Sequence, residues 1–218
     1  MSNKLFLLVY KDVLLELKSK SALGSILLYL GSMIFVCYLA FDGVISAKTW
    51  NTLFWLILLF TSFNSVLKSF IQEGTDRYLY YFTVTGPKAF INAKIIYNTL
   101  LLLCLAILAY GIFILFMGNI VANSTSFLIV LFAGAVGLAS ILTLMSAIAA
   151  KIRNNFTLVS VLSFPIILPQ LIIILNVSAK AISGMSVELF YLDIIISILI
   201  SFIAVGLSNV LFPYIWQE

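Results

Sequence analysis

Long apolar stretches separated by short polar connections dominate the chain from residue 22 onward. A helix needs about 20 mostly apolar residues to cross about 30 Å of hydrocarbon at 1.5 Å per residue. Six stretches are long enough, and we predict membrane-spanning helices near residues 22–41, 50–67, 91–117, 126–150, 156–176 and 189–212. The predicted fold class is therefore all-α, a polytopic membrane protein whose single domain takes up residues 1–218.

Residues 3–20 precede the first span and follow a different pattern. Four apolar residues fall on one face of a helix, namely Phe6, Tyr10, Val13 and Leu17. Three lysines recur every seven residues on another face, namely Lys4, Lys11 and Lys18. This pattern predicts an amphipathic helix in the cytoplasmic interface with its lysines toward anionic headgroups. The alternative is a frayed leader that only sets the topology.

Basic residues in the short connections predict the orientation, because Lys and Arg are retained on the cytoplasmic side. With the N-terminus inside, ten of the twelve basic residues lie in cytoplasmic segments, and only Lys48 and Lys180 lie outside. We therefore expect both termini in the cytoplasm. The scattered basic residues form no patch with interleaved aromatics, so membrane lipid and not nucleic acid is the expected partner for the net charge of +4.

Composition narrows the classes of function. Hydrophobic residues make up 63% of the chain and charged residues 9%, so lipid must surround most of it. Histidine, the commonest general base and metal ligand, is absent, and no Gly-x-x-x-x-Gly-Lys-Ser/Thr phosphate loop occurs. No ionisable residue lies near the centre of a predicted span, which disfavours a proton-coupled carrier. We expect no enzyme activity, no catalytic residue and no metal or cofactor bound by this chain.

The connection between the second and third predicted spans, residues 70–94, has the strongest functional signal. It is cytoplasmic by the charge count, and its aromatic-rich run at 78–82 is not expected of a simple linker. One interpretation is a turn or short helix that inserts apolar side chains into a groove of a cytoplasmic partner, with Glu73, Asp76 and Arg77 fixing its register. The alternative is a belt of aromatic residues at the membrane interface.

The fifth predicted span contains two prolines four residues apart, Pro165 and Pro169. They lie on one helix face, and each removes a backbone hydrogen bond, so we predict a bent or locally unwound helix. The bend is a candidate hinge that follows movement of a partner. Helix packing alone is the alternative role of these prolines.

The fourth predicted span contains a seam of small residues that allows a second backbone to approach closely. We define this packing seam by Gly134, Ala135, Gly137, Ala139, Thr143 and Ala147. Either an internal helix contact or a contact with a second copy of the chain would use it.

The residue order after the second span resembles the cytoplasmic signature of the ABC-2 class of ABC-transporter permeases. Glu73-Gly74 is followed by a Leu/Tyr stretch, then by Pro87, then by a lysine that opens the next span. With six spans in 218 residues and the sequence SFPIILPQ at 163–170, the chain more narrowly resembles the haem exporter protein B family, CcmB, of bacterial cytochrome c maturation. The resemblance covers nearly the full length and implies a single ABC-2-type permease domain.

The resemblance also implies partners. A CcmA-like cytoplasmic ATPase, which would bind ATP and Mg, is expected to dock on a coupling segment formed by Glu73, Gly74, Asp76, Arg77, Tyr78, Tyr81 and Pro87. CcmC-like and CcmD-like membrane proteins, a CcmE-like haem chaperone and a second permease copy are the other expected partners. Haem would be handled by the partner subunits, and ATP hydrolysis would drive release or transfer of the haem-loaded chaperone. The implied location is the bacterial inner membrane.

Two other functions remain open on the sequence. One is an ABC-2 permease that exports a lipid, drug or glycan, and neighbouring genes for such pathways would favour it. The other is an assembly scaffold that holds membrane partners together without translocating anything.

Overall fold

A computed structural model describes residues 2–18, 20–42, 45–71, 85–151 and 156–215. These residues form seven α-helices and a short 3-10 helix at Val187–Leu189, with no strand among them. The α-helices are α1 Ser2–Lys18, α2 Lys20–Phe41, α3 Ala47–Ile71, α4 Pro87–Met117, α5 Ser124–Lys151, α6 Phe156–Ile182 and α7 Tyr191–Ile215. The predicted all-α class is confirmed, and six described helices, α2 to α7, are long and apolar enough to cross a membrane.

Most helix boundaries differ from the predicted ones by a few residues, and two of these differences have a clear local reason. α3 begins at Ala47 and not near residue 50, because the Ser46 hydroxyl caps the helix by accepting a hydrogen bond from the Thr49 N–H at 3.2 Å. α6 continues past the predicted end at residue 176 to Ile182. Val177 and Ser178 are buried, so this stretch packs as helix against its neighbours. The outer connection is correspondingly shorter than the sequence indicates.

α5 is the centre of the bundle. In its candidate membrane span 78% of the residues are buried, against 17% for α2 and 22% for α7. It packs against α3, α4, α6 and α7. All six residues of the packing seam lie in α5 and are buried. A Cβ atom on Gly134 would lie 2.4 Å from Trp55 Cη2, and one on Gly137 would lie 2.0 Å from Gln170 Nε2. The two glycines therefore allow close contacts with α3 and α6.

Aromatic rings fill the space between α3, α4 and α5. The buried members are Trp50, Phe54, Tyr110, Phe113 and Phe127. Trp50 stacks on Phe54 with ring centroids 5.4 Å apart and meets Phe113 edge-on at 5.2 Å. Offset and edge-on pairs of this kind stabilise packing beyond the area that they bury.

The connection before α5 and the end of α6 are hydrogen bonded to each other, and we call this contact the outer clamp. The backbone N–H groups of Ala122 and Asn123 donate to Ile182 O and Ala181 O at 3.2 and 3.4 Å. The Asn123 side-chain amide also donates to Met185 O at 3.3 Å, and its oxygen caps α5 by accepting from the Ser126 N–H at 3.1 Å. One asparagine thus begins a helix and ties two connections together.

We predict that Gly134→Ala lowers the stability of the protein by about 1–3 kcal/mol, because the added methyl group overlaps the Trp55 ring. The ring cannot move aside without losing the 2.9 Å hydrogen bond from its Nε1 to Ser178 Oγ. Thermal unfolding in detergent, followed by tryptophan fluorescence, should show a lower Tm. Gly111→Ala is the control, because nothing lies within 4 Å of a Cβ atom there. Equal Tm values for the two variants would contradict the prediction.

Candidate functional site

Pro87 is the only residue of the coupling segment within the described ranges, and it begins α4. Gly86 precedes it as the N-cap with φ +85°, a conformation that glycine adopts without strain. Pro87 then occupies the first turn, where its missing N–H is not needed. The other members, Glu73, Gly74, Asp76, Arg77, Tyr78 and Tyr81, lie outside the described residues.

The two helix ends that bound the coupling segment are joined by one lysine. Lys94 lies in α4, and its ammonium group donates to Ser69 O at 2.9 Å. Ser69 is in the last turn of α3, where carbonyl groups have no partner within the helix and where a positive charge complements the helix dipole. The Lys94 side chain therefore closes α3 onto α4 beside the coupling segment.

The same ammonium group is paired with an acid of α1. Lys94 Nζ lies 3.2 Å from Asp12 Oδ2, and the two side chains are only 2% and 5% exposed. The rings of Phe70, Phe90 and Tyr97 surround the nitrogen with centroids at 5.7, 5.9 and 5.8 Å. Removing a charge from water costs several kcal/mol, and the ion pair, the hydrogen bond and these cation–π contacts offset that cost.

A second buried acid extends the contact between α1 and α4. Glu16 is one helical turn after Asp12 on the same face, and its Oε2 accepts a hydrogen bond from Tyr97 OH at 3.1 Å. Asp12 also lies 3.1 Å from Lys11 Nζ. We call Asp12, Glu16, Ser69, Lys94 and Tyr97 the Lys94 cluster. It connects α1, α3 and α4 through polar groups at the predicted cytoplasmic end of the bundle.

The Lys94 cluster was not predicted from the sequence, in which Lys94 is one of ten basic residues that indicate the orientation of the spans. Residue spacing could have suggested two polar faces. Asp12 and Glu16 of α1 are four residues apart, and Lys94 and Tyr97 of α4 are three apart, so each pair lies on one face of its helix. Nothing in the sequence indicates that these two faces meet.

The predicted apolar face of α1 is turned away from the bundle. Phe6, Tyr10 and Leu17 are 71%, 57% and 64% exposed, whereas the acidic face is buried. Lys18 is also exposed, and Lys11 is held beside Asp12. Outward apolar side chains on a helix that precedes six spans are typical of contact with lipid. Placement of α1 in the interface remains a prediction.

Four further polar contacts tie the spans together. Asn51 and Trp55 of α3 bond to Ser178 of α6. Asn92 of α4 and Asn209 of α7 exchange amide hydrogen bonds at 2.9 Å in both directions. Asn98 of α4 donates to Thr143 of α5 at 2.9 Å, and Gln170 of α6 donates to Ser197 of α7 at 2.7 Å. Contacts of this kind stabilise the association of membrane helices, because lipid is as apolar as the helix surfaces and the hydrophobic effect contributes little there.

α6 remains helical through both prolines of the candidate hinge. Pro165 and Pro169 lie inside the helix and are exposed on its outer face, and the predicted local unwinding does not occur there. The next residue, Gln170, is fully buried and holds α7 through Ser197. The hinge role of the prolines stays a prediction.

Candidate ligands for a metal are sparse in this protein. Among the described residues no three side chains of Cys, Asp or Glu come together as a possible metal site. Cys37 and Cys104 are both free thiols.

Comparison with known proteins gives one match. The family model described as CcmB protein matches residues 3–211 of the chain. A search of curated proteins gives no match, and a search of solved structures gives none either.

We predict that Lys94→Met lowers stability by about 3 kcal/mol, the low end of the cost of breaking a buried ion pair, because the buried Asp12 carboxylate then keeps only the more exposed Lys11 as its partner. Adding Asp12→Leu should restore most of the loss, since both charges are then gone. Thermal unfolding in detergent measures both effects.

Lys180→Met is the matched control for this prediction. Lys180 and Asp193 form an ion pair at 2.6 Å, but their side chains are 40% and 38% exposed, so its loss should cost about 1 kcal/mol or less. A Lys94→Met variant that is no less stable than Lys180→Met would contradict the proposed importance of burial.

Proposed function

Because the chain belongs to the CcmB family, we propose that it couples ATP hydrolysis by a cytoplasmic partner to release or transfer of a haem-loaded chaperone. Membership of this family implies that the chain is a multi-pass membrane permease subunit of a haem-exporter ABC system in cytochrome c maturation. In such a system the ATPase and further membrane proteins are separate components. The coupling to chaperone release is the part that we propose.

The Lys94 cluster is the observation that supports this proposal. The coupling segment connects α3, which ends at Ile71, to α4, which begins at Pro87, and Lys94 lies about two helical turns beyond Pro87. Because Lys94 bonds to α3 through Ser69 O and to α1 through Asp12, the helix ends on both sides of the segment are joined. A displacement of the coupling segment would therefore move α1, α3 and α4 together.

Two side-chain contacts give that movement a route into the rest of the bundle. Asn92 and Asn209 join α4 to α7 close to the Lys94 cluster. Asn98 and Thr143 join α4 to α5, the central helix. A displacement of α4 would therefore reach α5, which carries the packing seam, and α7, which the hydrogen bond between Gln170 and Ser197 joins to α6 with its two candidate hinge prolines.

The proposed partners follow from the family. A CcmA-like ATPase, carrying ATP and Mg, would dock on the coupling segment, while CcmC-like and CcmD-like proteins and a CcmE-like chaperone would complete the complex. Haem would be handled by these partners, because this chain contains no histidine to serve as an axial ligand. The proposed location is the bacterial inner membrane with both termini in the cytoplasm, as the distribution of basic residues indicates.

We predict that Glu73→Ala combined with Arg77→Ala lowers recovery of the ATPase in a pull-down of the tagged chain by about tenfold, since charged contacts fix the register of a docked segment. The ratio of ATPase to permease in the purified complex measures the effect. Lys48→Ala combined with Glu188→Ala is the control, because it removes one base and one acid from the predicted outer side. Equal recovery from both double variants would exclude docking at the coupling segment.

A second prediction separates work by the ATPase from a scaffold role. A partner ATPase that binds the chain but cannot hydrolyse ATP should abolish mature cytochrome c while the haem-loaded chaperone accumulates. Haem staining of cytochrome c and of the chaperone in the same cells measures both. Normal cytochrome c levels with the inactive ATPase would favour a non-translocating scaffold instead.

A further inference from the structure

Two cavities meet at Asn176 near the predicted outer ends of α3, α6 and α7. One, of about 460 Å³, lies between α3 and α6, and Lys48 and Asn51 line it on the α3 side. The other, of about 300 Å³, lies between α6 and α7, and Lys180 and Asp193 contribute to its lining. Asn176 belongs to both linings, so we call the two cavities together the Asn176 groove.

The groove contains both basic residues of the predicted outer side. Lys180 is paired with Asp193 at 2.6 Å, so these two charges cancel. The Lys48 ammonium group is exposed and makes no ion pair or hydrogen bond with the described residues. Among the described residues of the groove this leaves one uncompensated positive charge, which complements the single negative charge of a phosphodiester.

The two asparagines of the groove differ in what they can offer a ligand. Asn51 is buried and engaged, because its Nδ2 donates to Leu175 O at 2.9 Å and its Oδ1 accepts from Ser178 Oγ at 2.7 Å. The Asn176 amide is exposed within its span and has no hydrogen bond to the described residues. An amide that faces hydrocarbon without a partner costs free energy, so it favours a ligand that accepts its N–H.

The free ammonium group and the free amide lie at different depths. α3 and α6 run in opposite directions in the predicted topology, and the bond from Asn51 to Leu175 O places these two residues at one level. At 1.5 Å per residue, Lys48 lies about 4.5 Å outward of this level and Asn176 about 1.5 Å outward. Lys48 therefore lies nearer the headgroup region, where lipids carry their phosphate, and Asn176 nearer the glycerol esters beneath it.

Apolar side chains continue from the groove toward the middle of the membrane. Ile172 is one helical turn before Asn176 on the same face of α6, and Leu56 is one turn after Thr52, which also lines the groove on α3. Ile172 and Leu56 are 56% and 36% exposed. Because exposed apolar side chains on a span face hydrocarbon, a lipid with its head in the groove would have an acyl chain beside them.

We propose that the Asn176 groove binds an anionic phospholipid, whose phosphate pairs with Lys48 and whose ester carbonyl accepts a hydrogen bond from the Asn176 amide. The acyl chain lies beside Leu56 and Ile172, a contact that a free phosphate ion cannot make. The lipid fills the gap between α3 and α6 at the end of α3 opposite the coupling segment. The site is therefore independent of the docking of the ATPase.

Native mass spectrometry of the full chain in detergent tests the proposal with two lipids that have identical oleoyl chains. Phosphatidylglycerol is anionic, whereas the choline group of phosphatidylcholine cancels the charge of the same phosphate. We expect phosphatidylglycerol to bind about fivefold more tightly, the effect of one basic residue near a charged headgroup. Lys48→Gln should reduce this preference to about twofold or less. Asn176→Leu should weaken both lipids by about threefold and leave the preference unchanged, because both have the ester carbonyl.

Matched variants test the place of binding. Lys88→Gln removes the same charge from another exposed lysine, at the start of α4, and should leave the preference at about fivefold. Ala179 lines the groove and is exposed, so Ala179→Trp should abolish the retained lipid. Ala40→Trp is its control, because Ala40 is an exposed alanine near the predicted outer end of α2 and should retain the lipid.

Four outcomes would overturn the proposal. Equal retention of the two lipids would remove the role of the Lys48 charge. Equal loss of preference in Lys48→Gln and Lys88→Gln would assign lipid binding to the total charge of the chain. Displacement of phosphatidylglycerol by an equal concentration of inorganic phosphate would make a soluble anion the ligand. Equal loss of lipid in Ala179→Trp and Ala40→Trp would place the bound lipid elsewhere on the chain.

Discussion

Lys94 carries a positive charge at a position that water does not reach, and the end of the bundle beside the coupling segment depends on how that charge is compensated. Only 2% of the side chain is exposed. An ammonium group in such surroundings requires acceptors and negative charge from several directions, and α1, α3 and α4 each supply one side of the enclosure. These contacts favour one arrangement of the three helices, because separating α1 from α4 would break the buried ion pair between Lys94 and Asp12.

Away from this charge the helices are joined by amide and hydroxyl groups and by small residues. Asn92 with Asn209, Asn98 with Thr143, and Gln170 with Ser197 each connect a different pair of spans. Gly134 and Gly137 bring α5 close enough for Trp55 and Gln170 to reach across. Apolar side chains alone would pack equally well against lipid, so these polar and close contacts select which faces of the helices meet.

The number of spans and the all-α class could be predicted from sequence, because a run such as 91–117 needs no partner to be recognised as apolar. The packing seam could also be predicted from sequence, because its small residues recur at fixed spacing within one helix. The Lys94 cluster was not visible. Its members come from three separate parts of the chain, and each alone resembles an ordinary charge at the edge of a span. Ser46 and Asn123 likewise set helix starts through caps that hydropathy does not reveal.

The outer clamp gives the bundle an asymmetry between its two ends. At one end, backbone hydrogen bonds from Ala122 and Asn123 hold the end of α6, and at the other end the Lys94 side chain joins α4 to the last turn of α3. Backbone groups thus make the contact at the first end, whereas side chains make it at the second. A displacement that begins beside the coupling segment would meet the side-chain contacts first and the backbone contacts of the outer clamp last.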